Sequence, residues 1–193
     1  MQAAIDLGIT NVDIALRQET GLECMRVSTT RQPVLEQLES ILQLIQDPAS
    51  PIEQAAVTGG RYRSLPDQPN TFVMGSSMGG LISLYAIEQY PGVFFGAGCL
   101  STHWIAGENL LVDYLGARLP APADHRLYFD FGTITLDEAY EPFQIRMDGW
   151  LERAGYARGR NWTTLKFEGA AHTEAAWRAR VDLPLRFLLG GRR

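Results

Sequence analysis

The stretch that decides the fold is Thr71-Phe72-Val73-Met74-Gly75-Ser76-Ser77-Met78-Gly79-Gly80-Leu81. Residues 71–74 form an apolar strand, residues 79–90 have a helical pattern, and Gly-x-Ser-x-Gly lies between them with Ser77 at its tip. A serine on so sharp a turn adopts a strained backbone conformation. The residues two before and two after it must be small for strand and helix to approach, and Gly75 and Gly79 meet that need. The N-terminus of the helix turns backbone N–H groups toward developing negative charge, which makes the Met78 N–H an expected oxyanion donor. A phosphate-binding loop would carry a lysine after the glycines, and none is present. Ser77 is therefore the expected nucleophile; Ser76 stands beside the tip, off the elbow.

Downstream the pattern keeps alternating. Strands are expected at 93–100, 126–131 and 163–168, and helices around 110–119 and over 137–154. In the second helix Phe143, Met147, Trp150 and Leu151 fall at helical spacing and Pro142 lies in the first turn. A last helix starts at Glu174 and is bent or broken at Pro184. Strands alternating with helices of this length predict an α/β fold, a mostly parallel sheet with helices on both faces.

A serine hydroxyl is a weak nucleophile at neutral pH, so it needs a base, and the base needs an acid to orient it. In this architecture the chain order is serine, acid, histidine. Of the three histidines, His103 and His125 precede any acid that could follow the strand at 126–131, whereas His172 lies in the loop after the strand ending at Glu168. His172 is the base by elimination. The acid belongs to the loop after residue 131; Asp137 is the first choice, Asp130 the competitor near the strand end, and Glu138 a distant third.

Composition sets the outer limits. The 193 residues are 46% hydrophobic and 20% charged, which describes a folded chain with a real core rather than a disordered one. A net charge of -5 lacks the clustered cations that grip nucleic acid. The apolar runs fall short of the roughly 20 residues a spanning helix needs, and the start Met1-Gln2-Ala3-Ala4-Ile5-Asp6 has no basic leader. Cys24 and Cys99 are isolated, which argues against structural zinc and a disulfide framework and suggests a cytoplasmic setting. No metal or cofactor is expected, and the oligomeric state is not encoded in any visible feature.

Four segments carry a family resemblance: Gly75-Ser76-Ser77-Met78-Gly79-Gly80-Leu81, Ser101-Thr102-His103-Trp104, Tyr128-Phe129-Asp130-Phe131-Gly132-Thr133, and His172-Thr173-Glu174 with Trp177 and Arg180. With Pro184-Leu185-Arg186-Phe187-Leu188-Leu189-Gly190, they resemble the putative esterase family of α/β-hydrolases, which includes enterochelin esterases, feruloyl esterases and esterase D. The resemblance covers about 61–190. It implies serine hydrolysis of small-molecule esters through Ser77, Asp137 and His172, and it makes His103 and Trp104 candidates to line the substrate pocket. In the family, a loop before the elbow supplies a second oxyanion N–H, and the matching segment is missing from this chain.

Residues 1–60 are of another character. Strands are expected at 3–7, over Val12, Ile14 and Leu16, and at 23–28, with residues 8–11 as the first hairpin. A helix is expected at 33–46 and a strand at 54–58. This N-terminal antiparallel meander resembles, over short stretches, the opening of the sugar kinase, actin and heat-shock ATPase superfamily in Ala4-Ile5-Asp6-Leu7-Gly8-Ile9-Thr10-Asn11 and Ala56-Val57-Thr58-Gly59-Gly60. That resemblance implies a chimera whose Asp6 hairpin could serve a nucleotide, while a polar hairpin needs the same small residues for backbone reasons alone. The domains expected are 1–60 and 61–193.

Overall fold

Alternating apolar and polar residues near the start of the chain give three strands, β1 (Gln2–Leu7), β2 (Asn11–Gln18) and β3 (Gly21–Ser28), paired antiparallel in that order. The register sets Ile5 opposite Ile14, and Ile14 opposite Met25. The computed structural model describes residues 2–7, 11–18, 21–28, 67–106 and 108–190. The helix expected at 33–46, the strand expected at 54–58, the turn residues 8–10 and the segment 56–60 of the kinase-like resemblance lie outside the described residues. The chain divides into two units, Met1–Pro66 and Asp67–Arg193.

The second unit is built on four parallel strands in sequential order: β4 (Phe72–Ser76), β5 (Gly96–Leu100), β6 (Arg126–Phe131) and β7 (Trp162–Lys166). Helix α1 (Met78–Gln89) joins β4 to β5, α2 (Glu108–Gly116) joins β5 to β6, and α3 (Glu141–Arg153) joins β6 to β7. After β7 come α4 (Glu174–Arg178) and α5 (Asp182–Leu189). Parallel strands require such crossovers, and the crossovers cover the sheet.

Alternation along β6 divides the core between the two faces of the sheet. Phe129 stacks with Trp104, whose indole N–H donates to Gln144 Oε1 on α3 at 3.0 Å. Tyr128, pointing the other way, packs with Phe187 of α5, in a cluster with Leu100, Trp177 and Leu188. Both faces of β6 thus bury aromatic rings, as suits a strand sandwiched between helices. No helix among the described residues is long and apolar enough to cross a membrane.

Among the element boundaries that differ from expectation, three have a local cause. The strand expected from Val93 starts at Gly96, because Pro91-Gly92 turn the chain after α1 and the Val93 N–H donates to the Tyr90 carbonyl at 2.9 Å. The helix expected over 137–154 is two pieces, a 3₁₀ turn at Thr135–Ala139 and then α3, with Pro142 in the first turn of α3 where its missing N–H costs nothing. The break in the C-terminal helix lies between α4 and α5, ahead of Pro184, which sits in the first turn of α5 for the same reason.

Candidate active site

Strand β4 ends at Ser76 and α1 starts at Met78, so Ser77 alone makes the turn, with φ 57° and ψ −120°. For a residue with a Cβ this conformation costs on the order of 1–3 kcal/mol and persists only where the surroundings enforce it. Here they do. The Ser77 N–H donates to the Leu100 carbonyl at 2.9 Å, and the Ser77 carbonyl accepts from the N–H groups of Gly80 at 3.0 Å, Leu81 at 3.3 Å and His103 at 3.2 Å. A Cβ at Gly75 would lie 2.6 Å from the Gly79 carbonyl carbon and oxygen, whereas one at Gly79 would meet nothing among the described residues. The need for small residues around the elbow is therefore one-sided: the backbone of Gly79 presses on Gly75. The Met78 N–H, first in α1, donates to no acceptor among the described residues.

The other two groups come from loops that are zipped together. Beyond β6, the N–H groups of Thr133 and Ile134 donate to the Ala170 carbonyl at 3.0 and 3.2 Å. The His172 N–H donates to Thr135 Oγ1 at 2.8 Å. A Cβ at Gly132 would collide with the Ala170 carbonyl oxygen, so this crossing admits only glycine. The zipper sets the imidazole between two partners: His172 Nε2 lies 2.8 Å from Ser77 Oγ, and His172 Nδ1 lies 2.6 Å from Asp137 Oδ1.

Asp137 is 1% exposed. Burial alone would raise its carboxyl pKa, but bonds from His172, Ser101 and the Gly132 N–H outweigh it and hold the group below its ordinary value. Ser101 Oγ and the Gly132 N–H each reach Asp137 Oδ2 at 2.6 Å. An anionic Asp137 can only accept, which places a proton on His172 Nδ1 and leaves Nε2 free to accept from Ser77.

The competing acids are elsewhere. Asp130 accepts from Arg180 at 2.9 Å and from the Tyr128 hydroxyl at 3.0 Å, and burial pushes its carboxyl pKa up against those bonds. Glu138 is exposed. His125 lies between the Ala121 and Pro91 carbonyls, at 2.8 and 3.1 Å, and ties those two loops together rather than meeting Ser77.

His103 and Trp104 part company. His103 is half-buried, with its ring centroid 6.3 Å from that of His172, and burial followed by the His172 charge lowers its pKa. Its Nδ1 lies 2.8 Å from the Tyr140 hydroxyl, whose own pKa burial and then Asp137 push up. A neutral Tyr140 hydroxyl both donates and accepts, so the bond holds the His103 ring in either neutral tautomer. Trp104 is 1% exposed, stacked on Phe129 and bonded to Gln144, so the expectation of a pocket-lining indole gives way to a core one.

Ser101, Thr135, Tyr140, Trp177 and Arg180 surround the three central groups, and the sequence assigned none of them a role. Two signals were visible: Ser101, Trp177 and Arg180 stand in the segments that carry the family resemblance, and Ser101 and Thr135 directly follow or lie just beyond strands at the carboxyl edge of a parallel sheet. Among the described residues no cluster of three or more His, Cys, Asp or Glu side chains could hold a metal ion.

The family model described as Putative esterase matches residues 57–182. The chain is similar in structure to a ferulic acid esterase, with 17% identity and a TM-score of 0.51, over 66% of this chain and 54% of that one. It is similar to the S-formylglutathione hydrolase of Staphylococcus aureus, with 15% identity and a TM-score of 0.51, over 69% of this chain and 56% of that one. An enterobactin and salmochelin hydrolase matches at 14% identity and a TM-score of 0.50, over 89% of this chain and 71% of that one. At such identities the likeness shows an α/β-hydrolase-type fold. The chain spans little more than half the length of the first two structures. No curated protein matches it. None of these matches supports the kinase-like resemblance of residues 1–60.

Proposed function

The chain belongs to the Putative esterase family, and from that premise we propose that it is a serine hydrolase that cleaves small-molecule carboxylic esters through a Ser77-His172-Asp137 triad. What supports the reading most is the unbroken series Asp137 Oδ1, His172 Nδ1, His172 Nε2 and Ser77 Oγ, at 2.6 and 2.8 Å, on a serine held at positive φ. Ser77 Oγ attacks the ester carbonyl carbon while its proton passes to His172 Nε2, and the carbonyl π electrons move onto oxygen. The Met78 N–H stabilises that oxyanion. The C–O bond to the alcohol then breaks as the alcohol takes the proton back from His172. Water attacks the acyl-Ser77 ester by the same route in reverse and releases the carboxylic acid. Asp137 holds the imidazole in one tautomer and one orientation and stabilises its cation.

His103, whose ring lies beside that of His172, is the proposed substrate contact. A cytoplasmic setting agrees with Cys99 being a buried free thiol; recovery of the native protein from an oxidising compartment would overturn it. The test of the activity is hydrolysis of p-nitrophenyl acetate by the full chain and by Ser77→Ala. Loss of turnover by at least about 10⁴-fold in the variant is expected, and equal turnover by both would overturn the proposal.

A further inference from the structure

Behind Asp137 lies a second, wholly buried set of polar groups that the proposed chemistry leaves unused. Ser101 follows the end of β5 with φ 41° and is fully buried. Its hydroxyl has three partners: Asp137 Oδ2 at 2.6 Å, the indole N–H of Trp177 at 2.9 Å and Arg180 Nη2 at 2.9 Å. A hydroxyl has one proton and two lone pairs. Trp177 and Arg180 can only donate, so they occupy both lone pairs, and the single Ser101 proton is directed to Asp137. Arg180, 4% exposed, also bonds Asp130 Oδ1 at 2.9 Å through the same nitrogen. Its Nε and Nη1 find no acceptor among the described residues.

Resting on the esterase reading above, we infer that Ser101 and Arg180 are positioning residues: Arg180, with Trp177, forces the Ser101 hydroxyl to donate to Asp137, fixing the rotamer in which that carboxylate meets His172. The geometry requires both halves. Asp137 Oδ2 is held by Ser101 from one side and by the Gly132 N–H from another, each at 2.6 Å, which leaves Oδ1 alone to face the imidazole. Without Ser101 the carboxylate has lost one of two anchors and can rotate about χ2, carrying Oδ1 off the Nδ1–H axis. The strained backbone at Ser101 fits this role, because a non-glycine residue at positive φ persists only where its surroundings enforce it. A serine kept for packing alone would have no reason to hold its hydroxyl among three polar partners in the interior.

The test compares wild type with Ser101→Gly, which suits a positive φ and removes the hydroxyl together with its Cβ, and with Ser101→Cys, which keeps the Cβ and carries a thiol that is only a weak donor. Circular dichroism verifies folding, a fluorophosphonate probe reports whether Ser77 still reacts, and kcat and KM for p-nitrophenyl acetate are measured. In both variants kcat should fall about 10- to 100-fold with KM changed less than about threefold. A fall in kcat without a matching change in KM is the split that a role in packing alone would not produce. A folded Ser101→Gly with wild-type kcat overturns the inference, and if that variant does not fold, the same result for Ser101→Cys does so. Absence of labelling in wild type would instead overturn the esterase reading itself.

Discussion

Strand β6 and the loop that follows it each bury an aspartate, Asp130 and Asp137, both 1% exposed and both tied to Arg180 or Ser101, yet their carboxyl groups are driven in opposite directions. Asp130 sits within the sheet, where desolvation outweighs the bonds from Arg180 and Tyr128. Asp137 sits in a 3₁₀ turn at the edge of the sheet, where three donors outweigh it. Both side chains are shielded from solvent, but Asp130 lies deeper, so desolvation raises its carboxyl even against a guanidinium, whereas at Asp137 the donors outweigh the desolvation. On the proposed mechanism Asp137 serves chemistry, while Asp130 pairs with Arg180 in the interior.

Substitution should separate those roles, and the largest effect is expected first. Asp137→Asn keeps the shape and reverses the tautomer of His172, so kcat should drop about 10⁴-fold with the fold retained. Asp130→Ala strands the buried Arg180 cation, so denaturation should show a loss of about 3–5 kcal/mol, with a much smaller fall in kcat. A larger loss of kcat in Asp130→Ala than in Asp137→Asn would reverse the assignment.

Stability against pH sharpens the contrast. Asp137 is more acidic folded than unfolded, so its contribution is complete above about pH 4 and is lost as pH falls through the lowered value. Asp130 is less acidic folded, so its contribution is complete below about pH 4 and is lost as pH rises through the raised value. Denaturation from about pH 3 to pH 6 should show the margin of wild type over Asp137→Asn growing with pH while the margin over Asp130→Asn shrinks. Margins that move together would contradict the comparison.

The smallest effect tests the core face of β6. Trp104→Phe removes the bond to Gln144 but keeps an aromatic ring on Phe129, so stability should fall by about 1 kcal/mol while KM stays unchanged. A KM that rises several-fold would return Trp104 to the substrate pocket.

The elbow was legible because its parts are contiguous: strand, Gly75, Ser77 and helix follow one another, and chain order alone selected His172 from three histidines. The strand Arg126–Phe131 was legible to its ends because turn-forming residues bound it on both sides. Other features depend on contacts between distant segments. Nothing in the neighbours of Ser101 tells of Trp177 or Arg180, which reach it from α4 and from the break after it. The same break was expected at Pro184, where proline marks the first turn of a new helix rather than the end of an old one. Trp104 follows His103 in sequence, yet the chain turns between them and sends one toward His172 and the other into the core.

The central claim, that the His172 imidazole activates Ser77, is tested most directly by treating the intact protein with a fluorophosphonate and mapping the adduct by peptide mass spectrometry, with His172→Ala alongside. One adduct per chain, on Ser77, and none on His172→Ala is the expected result. An adduct on Ser76, equal labelling of His172→Ala, or no adduct on the folded wild type would contradict it.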